Sequence, residues 1–316
     1  MLKGKYDTTT SHRMMIQDEY RTFSYAEAIG QCVELGDTVI DFGSGSGLLA
    51  IMAARAGATK VIAIERNKKT AKWLEKNIEK NRLENVIEIF QGDAADFIKQ
   101  YADTLEVNVV ISECIGDHLF ENKMIKEFLQ LCDYYQVEKR IPYEFSVGVY
   151  PSLIKTRDNF FYHSADKLRN MDIELDWQTE IIDEELLDVA YFSNYRDNQD
   201  PYFCLQKIHR DPLQNIIFKF SNLNDIKKYE AYTPGTIENS IDIPQGNGYI
   251  LIYFFTRLFN DIYFTNHPGR TSDACHSYYQ RLIKKTGNFG TLNIDIDFDQ
   301  RNNEDTPCKN IWIKYD

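Results

Sequence analysis

Long apolar runs are missing from this chain. None of its 316 residues lies in a stretch long and apolar enough to cross a bilayer, and the opening Met-Leu-Lys-Gly-Lys-Tyr has no signal-peptide core. Paired cysteines are missing too. The six cysteines stand at 32, 114, 132, 204, 275 and 308 with no C-x-x-C among them, which argues against a zinc site or a disulfide framework. No metal is expected, and a reduced, cytoplasmic setting fits best. Nor is there an excess of positive charge. Lys and Arg number 36 against 48 Asp and Glu, a net charge of −12. That argues against nucleic acid, whose phosphates need a basic surface. An acidic cleft would attract a cationic substrate, although plain solubility explains the same charge. Internal repeats and low-complexity tracts are also absent.

What is present suffices for two packed domains, with 43% hydrophobic residues. The most informative stretch is Val39-Ile40-Asp41-Phe42-Gly43-Ser44-Gly45-Ser46-Gly47, followed by Glu65 after Lys60-Val61-Ile62-Ala63-Ile64. It reads as strand, glycine loop, helix, strand, acidic residue. Residues 38–42 have strand composition, and residues 48–56 are rich in the Leu, Ala and Met that helices favour. Glycines allow unusual dihedrals and bring a ligand against bare backbone. A carboxylate after the second strand offers acceptors to a ribose diol. The spacing separates two cofactors. A dinucleotide fingerprint is G-x-G-x-x-G, whereas this loop is D-x-G-x-G-x-G. Asp41 beside the loop repels phosphate and attracts an ammonium, so the pattern favours S-adenosylmethionine, whose amino-acid end carries an amine.

The first part of the chain alternates helix and strand: helix 14–32, strand 38–42, helix 47–56, strand 60–64, helix 68–81, strands 86–90 and 107–112, helix 122–132. Such alternation predicts an α/β doubly wound, Rossmann-like parallel sheet. The glycine loop, Gly92-Asp93-Ala94 and Ser112-Glu113 all follow strands, at the ends where such sheets bind ligands. At Ile141-Pro142 the character changes. Segments 145–150, 216–220, 249–258 and 290–298 are rich in Ile, Phe, Tyr and Val, and Leu292-Asn293-Ile294-Asp295-Ile296-Asp297-Phe298 alternates apolar with polar. That predicts half-buried antiparallel strands, hence a β sandwich or barrel, interrupted by helix-like, acidic and aromatic sequence at 160–187.

A second informative segment is His12-Arg13-Met14-Met15-Ile16-Gln17-Asp18-Glu19-Tyr20-Arg21-Thr22-Phe23-Ser24-Tyr25. Alone it is a polar helix with a buried face. Together with the glycine loop and Ile111-Ser112-Glu113-Cys114-Ile115-Gly116, the chain resembles the protein arginine N-methyltransferase family. The resemblance runs almost without gaps from Tyr6 to about Leu131 and more loosely to the end, through Phe203-Cys204-Leu205, His276 and residues 289–298. It implies a SAM-binding domain over residues 1–141 and a β-barrel substrate domain over 142–316, with an inserted helical dimerisation arm within about 155–190 that makes a homodimer.

The resemblance also implies roles. Arg21 matches the arginine that grips the cofactor carboxylate, a job suited to a bidentate fork. His12 and Met15 stand beside the cofactor, Gly43, Gly45 and Gly47 under its methionine part, Glu65 at its ribose, and Asp93 with Ala94 at the adenine edge. Met15 and Met124 match methionines that line the substrate pocket, with plain core filling as the alternative. Glu113 matches the first of two glutamates that clamp a guanidinium. A guanidinium spreads its charge and is a poor nucleophile, so carboxylates on two sides draw charge from the attacking nitrogen and aim its lone pair. His276 matches a histidine that Asp18 would hydrogen-bond, a dyad able to accept a proton.

Departures from the family pattern fall in the substrate half. The second clamp glutamate aligns with Asn122, the register being held by Leu119-Phe120 and Met124 on either side. Glu121 lies one residue early and serves only if the loop slips, while Asp117 offers a carboxylate from another direction. Cys114 and Asp117 replace bulky aromatics, Ser277 replaces a Trp after His276, and Leu2 and Lys3 replace an aromatic pair that caps the cofactor. The expected activity is SAM-dependent methyl transfer to a guanidino nitrogen of arginine, free, in a small guanidine or in a particular peptide or protein. The rivals are methylation of an amine or hydroxyl of a specialised metabolite, and a SAM-binding pseudoenzyme that serves as a partner.

Overall fold

The computed structural model describes residues 9–101, 104–115, 124–152, 216–225, 236–237, 248–265, 281–285, 292–296 and 311–315. The expected arm, Asp117, Glu121, Asn122 and His276 lie outside them.

The chain opens with two helices, α1 (Thr9–Gln17) and α2 (Glu19–Cys32). A single helix was expected over 14–32. Asp18 divides it, because it leaves helical dihedrals and turns its side chain onto the Arg21 N–H as an N-cap. Then β1 (Thr38–Phe42), α3 (Leu48–Ala56), β2 (Lys60–Ile64), α4 (Lys68–Asn81), β3 (Ile87–Phe90), α5 (Ala94–Tyr101), β4 (Val109–Ile111), α6 (Met124–Tyr134) and β5 (Lys139–Ile141) alternate, as predicted except for the additional α5 and β5. The helices start and stop for local reasons. Asn67 caps α4 by accepting from Lys69 and Thr70 N–H, and Gly57, at φ 123°, ends α3.

The five strands form one parallel sheet in the order β3-β2-β1-β4-β5. Val39, Ile40, Val61, Ile62, Val109 and Val110 are fully buried, as strands covered by helices on both faces must be. The order reverses between β1 and β4, so a crevice opens at their carboxyl ends. Asp41 and the glycine loop lie on one side of it and Ser112-Glu113 on the other.

The described strands of the second half pair antiparallel. One sheet holds β6 (Glu144–Ser152), β7 (Ile216–Phe220), β9 (Gly248–Phe259) and β10 (Ile262–Thr265) in the order β10-β9-β6-β7, with β11 (Arg281–Lys285) also paired to β9. Another joins β8 (Thr236–Ile237), β12 (Leu292–Ile296) and β13 (Ile311–Tyr315). One continuous core links the parallel sheet to the first antiparallel sheet. Phe145 stacks on Phe220 at 5.1 Å and meets Phe128 of α6 edge-on at 6.2 Å. Helix α2 is tied to the same sheet, since the Tyr20 hydroxyl donates to the Tyr263 carbonyl at 3.2 Å and Tyr25 packs edge-on against Phe264. No helix among the described residues is long and apolar enough to cross a membrane.

Candidate cofactor and methyl-transfer site

The glycine loop is built on dihedrals that other residues resist. Gly43, Gly45 and Gly47 have φ of 73°, 55° and 86°, in the left-handed region where a Cβ is strained. Their bareness also lets neighbours close in. A Cβ at Gly43 would stand 2.4 Å from Met124 Cε, at Gly45 2.9 Å from His12 Cε1, and at Gly47 2.4 Å from Leu74 Cδ1. The Gly43 and Ser44 amides both donate to the Ile64 carbonyl, drawing the loop onto the end of β2. Glu65 follows at once. Its Oε2 accepts from the Gly45 amide at 2.9 Å and its Oε1 from the Asn67 amide at 2.6 Å. Two backbone donors thus hold the carboxylate at the loop, and its remaining lone pairs can accept from hydroxyls.

Asp41 lies beneath the loop, 1% exposed. Neither carboxyl oxygen meets a donor in hydrogen-bond geometry; the Ser44 hydroxyl is turned to the Asp41 carbonyl instead, at 2.8 Å. Burial pushes the carboxyl up to about 7, helped by the nearby Glu65 charge and opposed by Ser44 and the Ala50 amide. A buried carboxylate without a well-aligned donor calls for a cation, so this position fits an ammonium.

Across the crevice, Arg21 Nη2 donates to Glu113 Oε2 at 2.8 Å, and Arg21 Nη1 donates to the Met15 carbonyl at 2.9 Å. Each partner of the ion pair is 12% exposed. The Ile115 amide donates to Glu113 Oε1 at 3.2 Å, curling the segment after β4 around the carboxylate. Asp18 is buried and accepts from the Arg21 amide, so it shapes the start of the helix that carries Arg21.

The other expected residues distribute as follows. His12 meets Trp73 of α4 edge-on at 5.8 Å, over Gly45. Met15 joins the site through its carbonyl. Met124 opens α6 against Gly43 and the core. Asp93 caps α5, accepting from the Asp96 amide at 2.9 Å, and Ala94 is buried as the first residue of that helix. Two residues escaped the sequence reading. Tyr25, one turn beyond Arg21 on α2, donates to the Ser112 carbonyl at 3.2 Å, and the Ser112 hydroxyl donates to the Phe42 carbonyl at 2.7 Å. Their signal was adjacency alone, one to Arg21 by helical spacing and one to Glu113 in sequence. Burial, then the Glu113 charge, raises the Tyr25 phenol and the Cys114 thiol well above their ordinary values. Both stay neutral, and Cys114 is inert filling rather than a nucleophile.

Comparison with known proteins bears on this arrangement. Residues 16–143 match the TRM5/TYW2 methyltransferase domain family. The histone-arginine methyltransferase CARMER of Drosophila erecta is 33% identical over 126 residues, which are 39% of this chain and 23% of that protein. The chain thus spans about a quarter of the length of the curated relatives it matches. Among solved structures, protein arginine methyltransferase 10 of Arabidopsis thaliana superposes with a TM-score of 0.61 at 18% identity, covering 98% of this chain and 97% of that one. A Trypanosoma brucei PRMT1 enzyme–prozyme heterotetrameric complex with AdoHcy gives 0.61 at 17% identity, covering 93% and 89%. The resemblance to arginine methyltransferases therefore holds in fold along nearly the whole chain, and in sequence over 126 residues.

Proposed function

We propose that this protein is an S-adenosylmethionine-dependent N-methyltransferase acting on a guanidino nitrogen of arginine. The observation that carries the proposal is the Arg21–Glu113 ion pair at the crevice between β1 and β4. It brings a cation suited to the cofactor carboxylate against a carboxylate suited to a guanidinium, on the ligand-binding edge of a methyltransferase fold. The Drosophila relatives that match 126 residues of this chain are histone-arginine methyltransferases, which supports the choice of acceptor.

The residues present fit the cofactor. Asp41 would take its ammonium, Arg21 its carboxylate, Glu65 its ribose hydroxyls, with Asp93 and Ala94 at the adenine edge. S-adenosylmethionine supplies an electrophilic methyl group when bound. Glu113 would hold the acceptor guanidinium and draw positive charge from the attacking nitrogen, leaving its lone pair directed at the methyl. His276, supported by Asp18, would accept the proton released as the new bond forms. Met15 and Met124 would wall the pocket. Asn122 stands where a second glutamate is expected, and carries no charge, so Asp117 or Glu121 would complete the clamp, or a single charge would serve a small or particular substrate.

At the larger scale we assign the β-barrel to residues 142–316, a dimerisation arm to about 155–190, a homodimeric assembly and a cytoplasmic site of action. A second reading, a SAM-binding partner with no turnover of its own, is kept in view by Asn122. Labelled S-adenosylmethionine incubated with free arginine, arginine peptides and a cell extract decides between them. Label in an arginine side chain is expected. Label on an amine or hydroxyl points to a different acceptor, and binding without transfer to any acceptor overturns the enzyme reading.

A further inference from the structure

We propose that Tyr25 and Ser112 are positioning residues that set where the Glu113 carboxylate stands, by registering the segment after β4 to α2 and β1. The proposal rests on the guanidino-methyltransferase reading for its purpose, while its geometry is independent of it. Arg21 and Tyr25 are one helical turn apart and share a face of α2. Both reach the same short segment. Arg21 binds the Glu113 side chain at 2.8 Å, and the Tyr25 hydroxyl binds the Ser112 carbonyl at 3.2 Å.

Ser112 is held from three directions. Its carbonyl accepts from α2, its hydroxyl donates to the Phe42 carbonyl at the end of β1, and its amide donates to the Ile141 carbonyl of β5 at 2.8 Å. It is 0% exposed, and Tyr25 is 1% exposed. Glu113 begins one peptide bond beyond this anchor. Its freedom is cut further by the Ile115 amide on Oε1. The same helix presents Arg21 toward the cofactor side, so α2 serves as one ruler for both halves of the site. That ruler is itself braced by β10, through Tyr20 on the Tyr263 carbonyl and Tyr25 against Phe264.

Removing the Tyr25 hydroxyl leaves the ring packed and Arg21 untouched. It strands a buried carbonyl, which drives the segment to find another partner. A shift of the clamp of about 1 Å is enough to lower transfer strongly, because the reaction depends on near-attack geometry.

The test uses Tyr25→Phe and Ser112→Ala in the full chain, with S-adenosylhomocysteine as the calorimetric probe. Amide hydrogen exchange is read over residues 112–115, and kinetics are measured on the acceptor found with labelled S-adenosylmethionine. Expected are unchanged S-adenosylhomocysteine affinity, faster exchange confined to 112–115, and a roughly tenfold lower kcat that exceeds any change in KM. The proposal is overturned if exchange over 112–115 matches wild type in both variants. It is equally overturned if kcat survives while only the melting temperature falls, which is what a purely structural role would give. Should the wild type transfer label to nothing, the function assigned above fails, yet the exchange result still decides the positioning role.

Discussion

Asp41 is a residue whose chemistry depends on its surroundings. Its carboxyl is raised to about 7 by burial, against about 3.9 in an unfolded chain. Between those pH values the folded protein keeps a proton that the unfolded chain has lost. Stability from this group is therefore fully present below about pH 4 and is lost as pH rises through about 7. Asp41→Asn is neutral throughout and removes the loss. The ligand-free variant should melt higher than wild type at pH 8, with the difference shrinking toward pH 5; thermal melts at both values check this. With ligand the sign reverses. An ammonium would be the missing partner of the carboxylate, and a charge-assisted bond is worth about 1.5–3 kcal/mol. Asp41→Asn should thus weaken S-adenosylmethionine binding by at least about tenfold at pH 8. Equal affinity in a calorimetric titration would remove Asp41 from the site.

At the scale of elements, the break between α1 and α2 does more than end a helix. Asp18 caps α2 by accepting from the amide of Arg21, so the cap and the site arginine share one residue. Asp18→Ala should cost about 1 kcal/mol of stability, the usual loss on removing an N-cap. It should also weaken S-adenosylmethionine binding, because fraying of the first turn releases Arg21. Asp18→Asn keeps an acceptor and should retain most of both. Urea unfolding and calorimetry separate the outcomes. If Asp18→Ala binds as tightly as wild type, Arg21 is placed by its ion pair with Glu113 and not by the helix.

For the whole molecule, the continuity of the core matters. Phe145, Val147, Phe220, Phe254 and Phe264 of the antiparallel sheet belong to the same buried cluster as the parallel sheet, and α2 lies between them, tied to β10. The site is therefore braced from the second half of the chain, although its described residues come from the first. The arm expected within about 155–190 belongs to this scale as well. Deleting about residues 160–180 is expected to give a monomer with little activity, because the arm is assigned the dimer contact. Light scattering that finds a monomeric wild type sinks this assignment.

Local signals were legible directly. The glycine loop, its left-handed dihedrals and Glu65 after β2 depend on residue type and short spacing, and dihedral preference is a property of each residue. The alternation that predicts a parallel sheet is likewise periodic and local. What escaped was short or long-range. Helix α5 has only 8 residues, and its start is set by the Asp93 side chain on the Asp96 amide. Strand β5 has 3 residues and exists through its pairing with β4. Strand β10 has 4 residues and is defined by the hairpin at Asn260, where φ is 43°. The Arg21–Glu113 pair joins residues 92 positions apart, and the Tyr25–Ser112 bond joins residues 87 apart. The sequence by itself determined the cofactor-type loop, the class of fold and the identity of both charged residues, because these follow from short-range patterns. Only the tertiary structure decided that the two charges face each other, that Tyr25 reaches the Ser112 carbonyl, and that Asp41 is buried without a well-aligned donor. Each of those results from burial and packing between elements far apart in the chain, which no local window contains.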